Sequence, residues 1–204
     1  MSTEMNLEMY IAPGVEYESV TRPREINRFK LSSVRIGDAI KEGWMKVWKD
    51  KKQIQESVKE IQEIANKIYY SDEGEMTIMH LGEAESLALI NIMQTDIFGI
   101  DERTVRMLIE EPFALKKHMQ IKYEQNIYLN KEMLEKFKAL MPKITIIRST
   151  ELISLAFENG LFQQELSEDQ ESLSAALYSL KYSGCAISGQ EIEEFVNKKL
   201  KGNL

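Results

Sequence analysis

The sequence predicts an α/β fold, a mainly parallel sheet flanked by helices, and three observations carry that reading. Short apolar or β-branched runs alternate with longer stretches of helical periodicity, the order that builds parallel sheets. Caps and turn residues stand at the junctions between them. With 204 residues, 43% hydrophobic and 29% charged, the chain has material for one ordinary folded domain, or for one domain carrying a sizeable insertion.

Taken in order, "NLEMYI" reads as a first strand, closed by a Pro13-Gly14 turn, and "VEYESVTRP" as a short helix that Pro23 ends. From Arg35 to Tyr70 the pattern is helical, and Ile54, Val58, Ile61, Ala65 and Ile68 recur at spacings of four and three. Such a stripe ordinarily packs on its own molecule; pairing with a second chain as a coiled coil is the sharper alternative, for which barely two heptads are short. "YSDEGEMT" is polar and turn-like. The helix of "HLGEAESLAL" follows, joining Leu81, Ala84, Leu87, Ala88 and Ile92 in one apolar face.

"TDIFGID" suits a buried strand ending on an acid, and "ERTVRMLIEE" a helix with Val105, Leu108 and Ile109 on one side that Pro112 stops. Residues 113–142 read as an added pair of helices. "KITIIRS" is a strand by its β-branched alternation, and "STELISLAFENG" a helix with a Ser or Thr cap and Gly160 as its stop. Ser167 with Gln170, and Ser188 with Glu191, give capping-box signatures for the last two helices.

Several functions are disfavoured at once. A net charge of −7 argues against a broadly basic nucleic-acid surface, while leaving room for a local basic rim. Cys185 is the only cysteine and reads as a small buried residue, so there is no intrachain disulfide and no multi-cysteine zinc site. His80 and His118 alone offer little to a histidine metal site or a His-dependent triad, which leaves oxygen as the ligand of any metal. No stretch approaches the roughly 20 apolar residues of a membrane span, and the N-terminus lacks a basic, apolar leader, so no membrane and a cytoplasmic location are expected. Neither a Walker-type glycine loop nor G-x-G-x-x-G is present to support a nucleotide-binding domain.

In an open parallel sheet, sites form beyond the carboxyl ends of the strands. Asp101 and Glu102 lie at such an end, Glu83 in the first turn of the helix leading to that strand, and Glu18 in the short helix after the first strand. Carboxylates gathered in one pocket repel each other unless a cation sits among them, and oxygen ligands with retained water suit Mg²⁺ or Mn²⁺. Each acid also has a plain explanation. Glu83 and Glu85 favour a helix start through its dipole, and Asp101-Glu102 is an ordinary cap at a strand-to-helix junction. Arg103 and Arg106 are either solvated helix charges or phosphate contacts.

The order "LGEAESLAL", "TDIFGIDERTVR", "IIRSTELISLAFENGLF" and "SLSAALYSLKYSGCAISGQEIEEFV" resembles the second half of PIN-domain proteins, in the branch with a Gly-Glu-Ala-Glu helix. "MYIAPGVEYESV" is similar to the segment before it, in which a Val precedes the family's Glu by three positions; that Glu falls on Glu18. The likeness covers about residues 9–22, 80–111 and 144–198. It implies a single PIN-like three-layer α/β domain over 1–204, with helical insertions at about 24–78 and 113–142.

The resemblance implies a metal-dependent ribonuclease, often the toxin of a toxin and antitoxin pair. Carried over by position, Glu18, Glu83 and Asp101 become catalytic acids that hold Mg²⁺ or Mn²⁺, with Glu102 and Glu85 as weaker ligands and Arg103 and Arg106 on the RNA phosphate. On that likeness Glu83 is the expected ligand of its pair, and Glu85 a helix-start charge or a contact behind the ligands. Such ions would lower the pKa of a bound water and neutralise charge on the phosphodiester. RNA, an antitoxin protein or a second copy of the chain are the implied partners.

One departure stands out. The family opens with a central strand bearing an early Asp, and "EMNLEMYI" has none. A metal site one carboxylate short binds weakly. Three expectations follow: a start upstream of Met1, a noncatalytic member, or another chain that fills the gap. The noncatalytic alternative would act through the helical insertions, binding a partner or self-associating.

Overall fold

In the computed structural model, which describes residues 8–162, 166–167 and 169–202, the chain is a mixed α/β protein of many helices and short strands. The first strand, β1 (Met9–Ile11), is where the sequence places it, although Asn6 and Leu7 of the expected run lie outside the described residues. Pro13-Gly14 opens a helix rather than a turn: Pro13 is the first residue of α1 (Pro13–Glu16), where its missing N–H would have had no partner anyway. The helical path continues through a π turn (Tyr17–Thr21) and two 3-10 turns (Arg22–Glu25 and Asn27–Phe29) into α2 (Lys30–Lys41).

The single helical stretch expected over 35–70 is interrupted. Gly43, at φ 84°, turns the chain out of α2 into β2 (Met45–Val47), which lies parallel to β1 with Met9 opposite Met45 and Ile11 opposite Val47. Asp50 then caps α3 (Lys51–Ala65), accepting from the N–H groups of Lys52 and Gln53 at 3.1 and 3.2 Å. β3 (Tyr69–Ser71) and β4 (Gly74–Glu75) make a hairpin whose turn needs the left-handed Gly74, at φ 126°. The remaining elements are α4 (Leu81–Met93), β5 (Ile97–Gly99), α5 (Arg103–Glu110), α6 (Pro112–Tyr123), β6 (Tyr128–Leu129), α7 (Lys131–Leu140), β7 (Thr145–Ile147), α8 (Ser149–Glu158), α9 (Gln170–Tyr182) and α10 (Gly189–Gly202). Among the described residues the strands form three small sheets, two of them parallel pairs, in place of the single mainly parallel sheet that was expected.

The described chain divides into two compact units and passes between them three times, after Asp96, after Arg106 inside α5, and after Ile144. One comprises the described part of Ser2–Asp96 together with Met107–Ile144. Its core is built on α3, whose Ile54, Val58, Ile61 and Ala65 are all buried and which packs against α4 and α7. The stripe therefore belongs to the molecule's own interior, where each large aliphatic side chain contributes about 1.5–3 kcal/mol. β6 pairs with β3, placing Tyr69 opposite Leu129 and stacking the Tyr70 and Tyr128 rings at 5.4 Å. The two stretches read as separate insertions, 24–78 and 113–142, are thus parts of one body, and β1, α1 and α4 belong to the same body.

The other unit comprises Ile97–Arg106 and the described part of Thr145–Leu204. β5 and β7 run parallel, with Ile97 opposite Thr145 and Gly99 opposite Ile147, and the Ile100 N–H extends the ladder to Ile147 O at 3.1 Å. Leu173, Leu177, Ile187 and Ile192 form its core, with Ile153 and Phe157 packed on them. The Ser188 and Glu191 box starts α10 as expected: each backbone N–H donates to the other's side chain, at 2.8 and 3.1 Å. The cap of α9 falls two residues later than Ser167, on Asp169, which accepts from Ser172 N–H at 2.7 Å. Ser149 is the first residue of α8 rather than its cap, and Glu151 reaches back to accept from Arg148 N–H at 2.7 Å.

Candidate functional site

The acidic residues singled out by the sequence fall at two stations, one in each unit. The first is the start of α4. The segment entering this helix is fixed by Asn66, at the end of α3. Its Oδ1 accepts from the N–H groups of Ile78 and Met79 at 2.8 and 2.9 Å, and its Nδ2 donates to Met79 O at 3.2 Å. Gln62 donates to the same carbonyl, so both N–H groups of the buried Ile78 and Met79, and the carbonyl of Met79, have side-chain partners.

From that fixed entry, Glu83 accepts from His80 N–H at 2.5 Å, closing the first turn of its own helix. Glu85 reaches away from the helix and accepts from Gly14 N–H at 2.5 Å, binding α1 to α4. Of the readings the sequence leaves open, Glu83 takes the helix-start role in these contacts, and Glu85 makes a contact outside its own helix. Two-residue spacing separates their directions on the helix but does not say which direction meets a partner. Glu18, in the π turn, lies against Gly82: a Cβ there would stand 3.1 Å from Glu18 Oε2, and one on Gly14 only 2.5 Å from Glu85 Oε2. Each carboxylate covers a glycine of the opposite element, and a side chain at either glycine would push that carboxylate from its place.

The second station lies just past the carboxyl ends of β5 and β7. Asp101 Oδ1 accepts from Ser149 N–H at 2.9 Å and Oδ2 from Ser149 Oγ–H at 2.5 Å, so one residue grips both oxygens. The Cys185 thiol is pushed up to about 11, first by burial and then by the charge of Asp101 and a hydrogen bond to it, with Arg148 opposing. Arg148 stands between Glu151, at 3.7 Å, and Glu191, at 3.8 Å. Glu191 is held below the usual carboxylate range by Ser188 N–H above all, with Arg148 and Arg103 adding to the effect. Glu102 accepts from Val105 N–H at 2.7 Å and so caps α5. Arg103 and Arg106 lie half-buried in the same helix.

Ser149 and Cys185 are the residues here that sequence reading passed over as a cap and a core filler. The "RST" at the end of a β-branched run was the available signal for the first. Nothing in the sequence distinguishes Cys185.

The donor set is all oxygen, which suits Mg²⁺ or Mn²⁺. Among the described residues, no three His, Cys, Asp or Glu side chains form a group that could hold a metal ion. Mg²⁺ commonly makes do with one or two carboxylates, its own waters and the phosphates of a substrate, and Asp101 meets that lesser demand. No family model matches the chain, and comparison with curated proteins and with solved structures returned no match.

Proposed function

We propose that the chain is a PIN-like, divalent-metal-dependent ribonuclease centred on Asp101. The observation that carries the proposal is the double grip of Ser149 on Asp101 beyond the ends of a parallel strand pair, the place where such sheets hold their ligands. Of the carboxylate's roughly four lone-pair sites, Ser149 engages one on each oxygen and the Cys185 thiol one more, so the group is oriented while acceptor capacity remains. Bound Mg²⁺ or Mn²⁺ would supply an activated water and charge neutralisation on the phosphodiester. Within the same unit Glu102 is its companion ligand in this reading, and Arg103 and Arg106 its phosphate contacts. With the reading come RNA as substrate, an antitoxin-like protein partner and a cytoplasmic setting. No described helix is long and apolar enough to cross a membrane. The test is the melting temperature with and without MnCl₂. A rise in the wild type that Asp101→Asn abolishes supports the proposal, and the same response in both sinks it.

A noncatalytic interaction protein acting through residues 24–78 and 113–142 is the second reading. It draws support from large apolar side chains left in solvent on both stretches, Leu31 at 66% exposure and Ile121 at 79%. Light scattering distinguishes it: Leu31→Asp or Ile121→Asp would dissociate a complex that metal does not affect, and a monomeric wild type with no partner would rule it out.

A further inference from the structure

We propose that the 3-10 turns before α2, together with the outer face of α2, form a docking surface for an acidic, amphipathic protein segment, a role independent of the nuclease reading. Ile26, Phe29, Leu31 and Val34 are all at least 43% exposed and fall within nine consecutive residues. On α2, Leu31 and Val34 share a stripe with Arg35, away from the buried Ser33 and Gly37. Leaving such side chains in water forgoes the stabilisation that burial against a partner would bring, and their clustering sets them apart from scattered surface apolar residues.

Charge identifies the partner's chemistry. Arg22, Arg24, Arg28, Lys30 and Arg35 stand here against two carboxylates, Glu25 and Asp38, the second already paired with Lys41 at 2.9 Å, in a chain whose net charge is −7. None of these five cations forms an ion pair within the described structure. The Arg28 guanidinium lies over the Phe29 ring at 5.5 Å, and Arg24 is laid across Gly37, where a Cβ would stand 2.8 Å from its Nη2.

Among acidic occupants, a protein segment fits best. Single-stranded RNA binds through aromatic faces, and three of the four exposed apolar residues are aliphatic, Leu31 being the most exposed. A bilayer surface takes up a long apolar helix face, and only one turn of α2 supplies apolar residues here. Four of the five cations are arginines, whose planar fork pairs with carboxylates and which are enriched at protein interfaces.

The test is fluorescence anisotropy with the full chain and a labelled synthetic amphipathic helix, leucines on one face and glutamates beside them. Oligouridine and phosphatidylserine-containing vesicles serve as competing probes. Binding of the peptide that weakens by about tenfold or more in Leu31→Asp and in Arg28→Glu is expected, since both side chains would meet it directly. Both positions are exposed, so circular dichroism should show the variants folded. Absence of peptide binding, unchanged affinity in the folded variants, or tighter binding of oligouridine or vesicles through the same residues would overturn the proposal.

Discussion

Glu85 and Gly14, 71 residues apart in the chain, are joined by a 2.5 Å hydrogen bond from the Gly14 N–H to Glu85 Oε2. Gly14 lies in the first turn of α1, where backbone N–H groups have no partner within the helix. The carboxylate supplies one. A helix too short to stand alone is thereby tied to α4, and with it the π turn that carries Glu18.

Glu85→Ala should cost about 1–2 kcal/mol in urea unfolding, because it orphans that N–H and removes a charge-assisted bond. Gly14→Ala should also destabilise, since its Cβ would meet the carboxylate at 2.5 Å. The double variant should lose less than the two single losses added together, because each substitution removes what the other disturbs. Additive losses would show that the contact does not couple the two helices.

Asn66→Ala should be the costlier change, at about 2–4 kcal/mol, because it strips partners from two N–H groups and a carbonyl in a buried segment. Asn66→Asp retains the acceptor for Ile78 and Met79 but loses the donor to Met79 O, and should fall between wild type and alanine. Urea midpoints at constant slope give the comparison.

Cys185 gives a pH signature. Burial, then Asp101, favours its protonated form in the folded protein, so its midpoint lies at about 11 rather than at the ordinary 9.0. The stability this contributes is complete below pH 9 and is lost as the pH climbs toward 11, an alkaline effect and not an acid one. Iodoacetamide alkylation followed against pH should show the late midpoint. Asp101→Asn should bring it down, and an unmoved midpoint would show that the carboxylate does not act on the thiol.

The sequence made the helix of "GEAE", the strands ending at Ile11, Gly99 and Ile147 and the last cap legible, because each depends on neighbours within one turn or one strand. β2 was hidden: "WMKVW" follows a helical run closely enough to be read as its continuation, and its strand state comes from pairing with β1, some 36 residues earlier in register. The joining of 24–78 with 113–142 was hidden for the same reason, since β3 and β6 are too short to announce themselves and gain their order from each other. At the candidate site the identities of the acids were visible and their partners were not. Neither Gly14 for Glu85 nor Ser149 for Asp101 can be found by spacing, because both contacts close over long chain separations.

The most direct measurement of the central claim is cleavage of a fluorescently labelled single-stranded RNA by the purified chain with Mn²⁺, with Mg²⁺ and with EDTA, beside Asp101→Asn. Cleavage should need the metal and fall by about a hundredfold or more when the Asp101 carboxylate is lost. Metal-independent cleavage, no cleavage by the wild type, or equal rates for wild type and Asp101→Asn would contradict it.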